Sequence, residues 1–187
     1  MCIRDSWKDY LKDTLIPEPP SLHEDVEKTS PVLKGVHTWH MVDKNGYFGR
    51  HENDEEPPMW PHDGSIRSKT SAAYQHMIHK YLRAVGAVDD NIKRVIDYLE
   101  KERIKDDTLI IYTSDQGYWL GQHGLYDKRL ILEGSLKMPF IVRYPKEIKA
   151  GSVNEALCSN VDFAPTLLDM AGLPVPKAMQ GFSCLLY

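Results

Sequence analysis

Between Ser114 and Arg129 the chain reads SDQGYWLGQHGLYDKR, and these positions hold two Asp, two Gln, a His, a Lys, an Arg and three Gly. At 115–116 an Asp followed directly by a Gln sets a carboxylate beside an amide oxygen, two hard donors of the kind that calcium or magnesium takes. Lys128 could meet an anionic oxygen as a point charge. The glycines at 117, 121 and 124 permit the backbone turn that would bring it back to the same place. A divalent cation and a lysine around one spot suit a sulfate or phosphate ester. Two donors do not complete a metal site, so the remaining ligands must come from elsewhere. The same residues admit a plainer reading, in which Asp115 caps a turn, Gln116 is solvated and Lys128 lies on a surface, because Asp-x-Gly turns are common. Residue types alone leave both readings open.

Chemistry of either kind needs elements that hold the cluster in place. TLIIYTS, at 108–114, is β-branched, of strand length and ends at Asp115, so it reads as a buried strand of a parallel sheet. MPFIVRYP at 138–145 is a second strand, closed by Pro145. Ahead of both, residues 70–103 contain no Pro, and Tyr81, Val85, Val88, Ile92, Val95, Ile96 and Leu99 recur on one stripe, which predicts an amphipathic helix. Beyond them, Asp162 is placed to cap a helix over FAPTLLDMA, with Pro165 in its first turn and Gly172 ending it. Helix, strand, polar loop, strand, helix is an α/β order. In open α/β sheets binding groups gather just beyond the carboxyl ends of strands, where Asp115 falls.

The segment from Pro17 to about Ser68 has another character. IPEPP, SPVLKG, DKNGYFG and EEPPMWPHDGS break every incipient period, so it reads as loops and turns, functional or draped over other elements. The first six residues, MCIRDS, resemble translated adaptor sequence and are set aside. The remaining organisation is an irregular, proline-rich segment over 7–68 and an α/β portion over 69–187.

With 187 residues, 42% of them hydrophobic, the chain is long enough for one domain with a core. A net charge of -4 with interleaved signs provides no basic face for nucleic acid. The longest apolar runs, LIIY and PFIV, are far too short to span a bilayer, and the N-terminus lacks the apolar stretch of a secretory signal. Cys2, Cys158 and Cys184 are odd in number and widely spaced, which argues against a disulfide framework, a CxxC zinc site or a redox motif.

Weaker constellations carry less. His37 and His40 in HTWH have a zinc-like spacing and His76 and His79 share a helix face, but without Cys or a further matched pair they read as ordinary loop and helix-surface histidines. DKNGYFGRHEND at 43–54 echoes a calcium loop and is rejected, because Phe48 stands where Gly is needed and Asp54 where Glu is needed. Trp39, Tyr47, Phe48 and Trp60 could form a sugar-stacking rim, though packing against the domain is the usual fate of large aromatics.

From about residue 70 to 183 the chain resembles a type I sulfatase of the alkaline-phosphatase-like superfamily. Three blocks in the family's order carry the resemblance: YLRAVGAVDDNIKRVIDYLE, KDDTLIIYTSDQGYWLGQHGLYDKRLILEGSLKMPFIVRYP and SNVDFAPTLLDMAGLPVPKAMQGFS. The middle block is the most specific, with S-D-x-G-x-x-x-G-x-H-G followed by a Lys and a strand ending in Pro. The resemblance implies a mostly parallel central sheet flanked by helices, present as a C-terminal part of the catalytic domain. It implies calcium held in part by Asp115 and Gln116, a sulfate contact from Lys128, and a position for His123 at the catalytic edge. Arg129 is implied either in substrate contact or in a structural ion pair. The partner it implies is a sulfated carbohydrate such as a glycosaminoglycan, with a periplasmic, cell-surface or secreted location.

The sequence departs from the family pattern at the nucleophile. The family's formylglycine arises in C/S-x-P-x-R, and no Cys or Ser of this chain starts that motif. The N-terminal Asp-Asp pair that completes the family's calcium site and the upstream His of an A-P-H segment are also absent. The expectation is a chain that begins past its nucleophile, stops at MQGFSCLLY before a smaller subdomain, and is catalytically silent by itself. A phosphodiesterase or phosphonate hydrolase of the same superfamily, and a degenerate sulfatase that only binds sulfated glycan, are the alternatives.

Overall fold

The computed structural model describes residues 7–25, 28, 30–34, 40–42 and 60–184. Cys2, His37, Trp39, Tyr47, Phe48 and the 43–54 stretch lie outside them. Taken over the described residues, two compact units emerge, Met1–Thr108 with Tyr112–Ile141, and Leu109–Ile111 with Val142–Tyr187.

The first unit is built on a long helix, α1, Ile66–Lys101. Its start is set by Ser65, whose hydroxyl accepts from the Ser68 N–H at 3.2 Å, satisfying one of the helix's unpaired donors. It ends where Arg103 turns to φ 59°, with the Ile104 N–H returning to the Leu99 carbonyl at 3.0 Å. Burial along α1 differs from the sequence expectation. Ala72, Ala73, Tyr74, Met77 and Ile78 are buried, whereas Tyr81, Val85, Val88 and Val95 of the expected stripe are exposed. The reason is what lies against the helix: its early turns pack with Leu22, Met41, Val42 and Tyr126 into one core, and Ile16, Leu82 and Leu120 border it.

The proline-rich segment is draped, and polar groups of α1 hold it. Gln75 accepts the Ile16 N–H at 3.1 Å through Oε1 and donates to the Ile16 carbonyl at 2.7 Å through Nε2. The Tyr74 hydroxyl donates to the Pro17 carbonyl at 2.7 Å. His79, expected on the helix surface, is instead buried, with Nδ1 2.6 Å from the Gln75 carbonyl and Nε2 within 3.0 Å of the carbonyls of Leu11 and Thr14. A chain without regular structure still needs partners for its backbone, and these side chains provide them. Trp60 packs on the His79 ring at 5.2 Å between centroids.

Both expected strands form, as β1, Ile110–Thr113, and β4, Phe140–Arg143, and they pair in a two-stranded sheet, but β1 is not the buried strand expected, because Tyr112 and Thr113 are exposed. Between them the expected polar loop contains an antiparallel hairpin of β2, Trp119–Leu120, and β3, Tyr126–Asp127, followed by a single-turn helix α2, Glu133–Leu136. Among the described residues no helix is long and apolar enough to cross a membrane.

The second unit holds the last helix, α3, Phe163–Met170, ended by the expected Gly172, whose N–H bonds the Asp169 carbonyl at 2.9 Å. Asp162 precedes α3, yet its side chain does not cap it. The carboxylate accepts the Ser159 N–H on one oxygen and the Phe182 N–H on the other, both at 2.8 Å. These two bonds hold its carboxyl below the usual Asp range. Widely spaced in sequence, Cys158 and Cys184 come together in this unit with their sulfurs 2.6 Å apart.

Candidate functional site

The hairpin places the residues of the SDQG…DKR cluster relative to one another. Pairing of Trp119 with Asp127 and of Leu120 with Tyr126 sends the chain back along itself. One step further in that register, Lys128 falls across from Tyr118, so Asp115 and Gln116 precede the first strand at the same open end at which Lys128 and Arg129 leave the second. A glycine allows the chain to turn back in this way. Gly121 does so at φ 96°, a left-handed conformation in which its N–H bonds the Leu125 carbonyl at 3.0 Å.

Two anchors fix the hairpin's open end to α2. The Gly117 N–H donates to the Ser135 carbonyl at 2.7 Å, and the buried Trp119 indole N–H donates to Ser135 Oγ at 2.8 Å. Gly117 is required by close approach: a Cβ there would stand 2.3 Å from the Gly134 carbonyl oxygen and 2.5 Å from that of Lys137.

Asp115 is exposed and its carboxylate accepts the Ser114 hydroxyl at 3.3 Å; Gln116 beside it is half-buried. Lys128 is exposed, and among the described residues no hydrogen bond or ion pair occupies its ammonium group. Arg129 lies with Nε 3.5 Å from Asp127 Oδ2, so the ion pair that the resemblance allowed is present. Asp127 is buried and Arg129 half in solvent, so the pair steadies the guanidinium at its Nε edge.

His123 is elsewhere on the hairpin, in its turn, at φ 57°. Its N–H donates to Ser21 Oγ at 3.2 Å, its Nδ1 lies 2.8 Å from Glu24 Oε2, and its ring meets the Trp119 ring edge-on at 5.9 Å. These contacts tie the turn to the proline-rich segment. His40 forms a bridge with Leu125 on the same turn.

Sequence reasoning passed over Tyr118 and Asp127. Tyr118 stacks on Tyr81 at 6.1 Å, and burial, then the Asp127 carboxylate, push its phenol above the ordinary tyrosine value, so it is a hydrogen-bond donor at neutral pH. Asp127 takes φ 73°, uncommon for a non-glycine residue, and turns Lys128 and Arg129 out of the strand. The DKR triplet was visible in the sequence, but only pairing with Trp119 gives its Asp a buried role. One end of the hairpin thus carries oxygen donors of the type a hard cation takes and positive charges of the type an anion takes.

Residues 121–186 match the family described as N-sulphoglucosamine sulphohydrolase, C-terminal. An N-acetylglucosamine-6-O-sulfatase of Bacteroides thetaiotaomicron is 52% identical over 122 residues, which cover 64% of this chain and 22% of that protein. In fold, the chain is similar to a protein solved in complex with its substrate D-glucosamine-2-N,6-O-disulfate, with a TM-score of 0.76 and 35% identity over 95% of this chain and 43% of the other. It is also similar to a phosphonate monoester hydrolase from Silicibacter pomeroyi, with a TM-score of 0.72 and 28% identity over 96% of this chain and 33% of the other. In sequence and fold the chain is similar to the C-terminal portion of sulfatases, which have an alkaline-phosphatase-like architecture. It spans about a fifth of the length of the curated sulfatase it matches at 52% identity.

Proposed function

We propose that this chain forms part of a calcium-dependent sulfatase that hydrolyses sulfate esters on a carbohydrate, with 6-O-sulfated glucosamine units as the substrate class. The observation that carries the reading is the 52% identity over 122 residues to an N-acetylglucosamine-6-O-sulfatase. Asp115 and Gln116 fit two places in a calcium site by donor chemistry, since both offer hard oxygens and the Asp115 carboxylate is exposed, with the Ser114 hydroxyl at 3.3 Å. When bound, the cation polarises the sulfate oxygens. Lys128 places positive charge where the ester's negative charge grows as the S–O bond breaks, and Arg129, steadied by Asp127, orients the anion or the sugar bearing it. His123 holds the turn of the hairpin against Glu24 and Ser21, so its part in this reading is to fix the hairpin. Attack on sulfur requires a nucleophile outside these residues, because no C/S-x-P-x-R occurs among them.

The test is an enzyme that joins these residues to a nucleophile-bearing sulfatase portion, assayed for inorganic sulfate released from N-acetylglucosamine 6-sulfate. Release that is abolished by chelation and restored by calcium is the expected result. The similarity to a phosphonate monoester hydrolase favours a second reading within the superfamily. Faster turnover of a phosphonate monoester than of the sulfate ester would establish that reading instead, and tight binding of the sulfated sugar without turnover would make the protein a glycan binder.

A further inference from the structure

We propose that Cys158 and Cys184 are a redox site, joined as a disulfide that closes the C-terminal loop of the second unit onto the segment leading into α3. Their sulfurs lie 2.6 Å apart, in contact that leaves no room for a third atom between them. The backbone enforces this proximity without help from sulfur. Asp162 accepts the N–H of Ser159 and that of Phe182 at 2.8 Å each, clamping the residues after Cys158 to those before Cys184. Thr166 Oγ1 accepts the Cys184 N–H at 2.8 Å and donates to the Asp162 carbonyl at 2.6 Å, which positions Cys184 itself. A Cβ at Gly181 would stand 2.3 Å from the Val161 carbonyl oxygen, so the two segments are in backbone contact as well.

The competing use of these groups is a metal centre, since both sulfurs and an Asp162 oxygen lie within 4.8 Å of one another. Two features disfavour it. In tetrahedral zinc sites with Zn–S bonds of about 2.3 Å, sulfurs stand roughly 3.7 Å apart, wider than this pair. Each Asp162 oxygen already accepts a backbone N–H, and among the described residues no fourth ligand joins the three.

Oxidation breaks both S–H bonds and forms one S–S bond. The two electrons and two protons pass to a small-molecule disulfide such as oxidised glutathione, which leaves as two thiols. The closed loop restricts the unfolded chain and so stabilises the second unit.

The full chain, equilibrated with a mixture of oxidised and reduced glutathione, quenched in acid, denatured and treated with a maleimide, is expected to be labelled at Cys2 alone. Trypsin cleaves after Lys149 and Lys177, so the two cysteines fall in separate peptides that should run as one linked species and part on reduction. Labelling at Cys158 and Cys184, or linkage of either only to Cys2 or glutathione, would overturn the assignment. As a second readout, dithiothreitol should lower the melting temperature of the oxidised chain and leave Cys158→Ser and Cys184→Ser unmoved. An equal response in the variants counts against the disulfide. Retention of one zinc by the reduced chain through desalting, lost in Cys184→Ser, would replace it with the metal centre.

Discussion

Lys128 is the residue on which the anion site turns. Its ammonium has no described partner, so removing it costs the fold little, while any sulfate brought to the hairpin's open end loses its point charge. In a catalytically complete enzyme, Lys128→Ala should lower turnover by about two orders of magnitude or more, as loss of a charge-stabilising donor does, with thermal stability shifted by no more than about 0.5 kcal/mol. Steady-state kinetics beside a melting curve separate the two, and undiminished turnover refutes the role given to Lys128. Asp115, Gln116, Lys128 and Arg129 could all be picked from the sequence as oxygen donors and cations. What could not be picked was Asp127, because its importance comes from burial, a left-handed backbone and the reach of Arg129, none of which residue type reveals.

Among the elements, the hairpin from Trp119 to Asp127 is decisive, and it was the least legible. Strands of two residues are too short to display an alternating pattern, and glycines around them read as loop. The long helix α1 was legible from its 3.6-residue period, yet which of its turns would be buried was not. That depended on Leu22, Met41 and Tyr126, residues distant in sequence that meet only its first half. The hairpin's attachment to α2 through Ser135 suggests a direct test. Gly117→Ala puts a methyl group against two backbone carbonyls, which no rotamer can relieve, so about 1–3 kcal/mol of stability should be lost by overpacking. Chemical denaturation measures it, and a variant as stable as the parent would mean that the Gly117–Ser135 contact does not form in solution.

For the molecule as a whole, the two units have different internal fastenings. The first relies on an apolar core and on side chains that satisfy a draped, irregular segment. The second has few buried apolar groups and relies on Asp162 to bond two separate stretches. Because the folded carboxyl is held below its ordinary value near 3.9, the stabilisation is complete above that pH and is lost as pH falls through the lower folded value. Amide proton shifts of Ser159 and Phe182 should therefore titrate together, with a single midpoint below that of an ordinary Asp, and neither should titrate in Asp162→Asn. Midpoints that differ, or that lie above the ordinary value, would remove Asp162 as the clamp.

By itself the sequence determined the α/β order, the extent of the long helix, the two apolar strands and the resemblance carried by SDQGYWLGQHGLYDKR, because period, propensity and motif spacing are local properties of the chain. Only the tertiary structure decided that Lys128 returns to the end occupied by Asp115, that His79 is interior, and that two distant cysteines touch. The first depends on a hairpin whose two-residue strands show no pattern, and the other two on contacts between segments far apart in sequence. Backbone hydrogen bonds and close approach at glycine set these arrangements, and neither is written in the identity of a single residue.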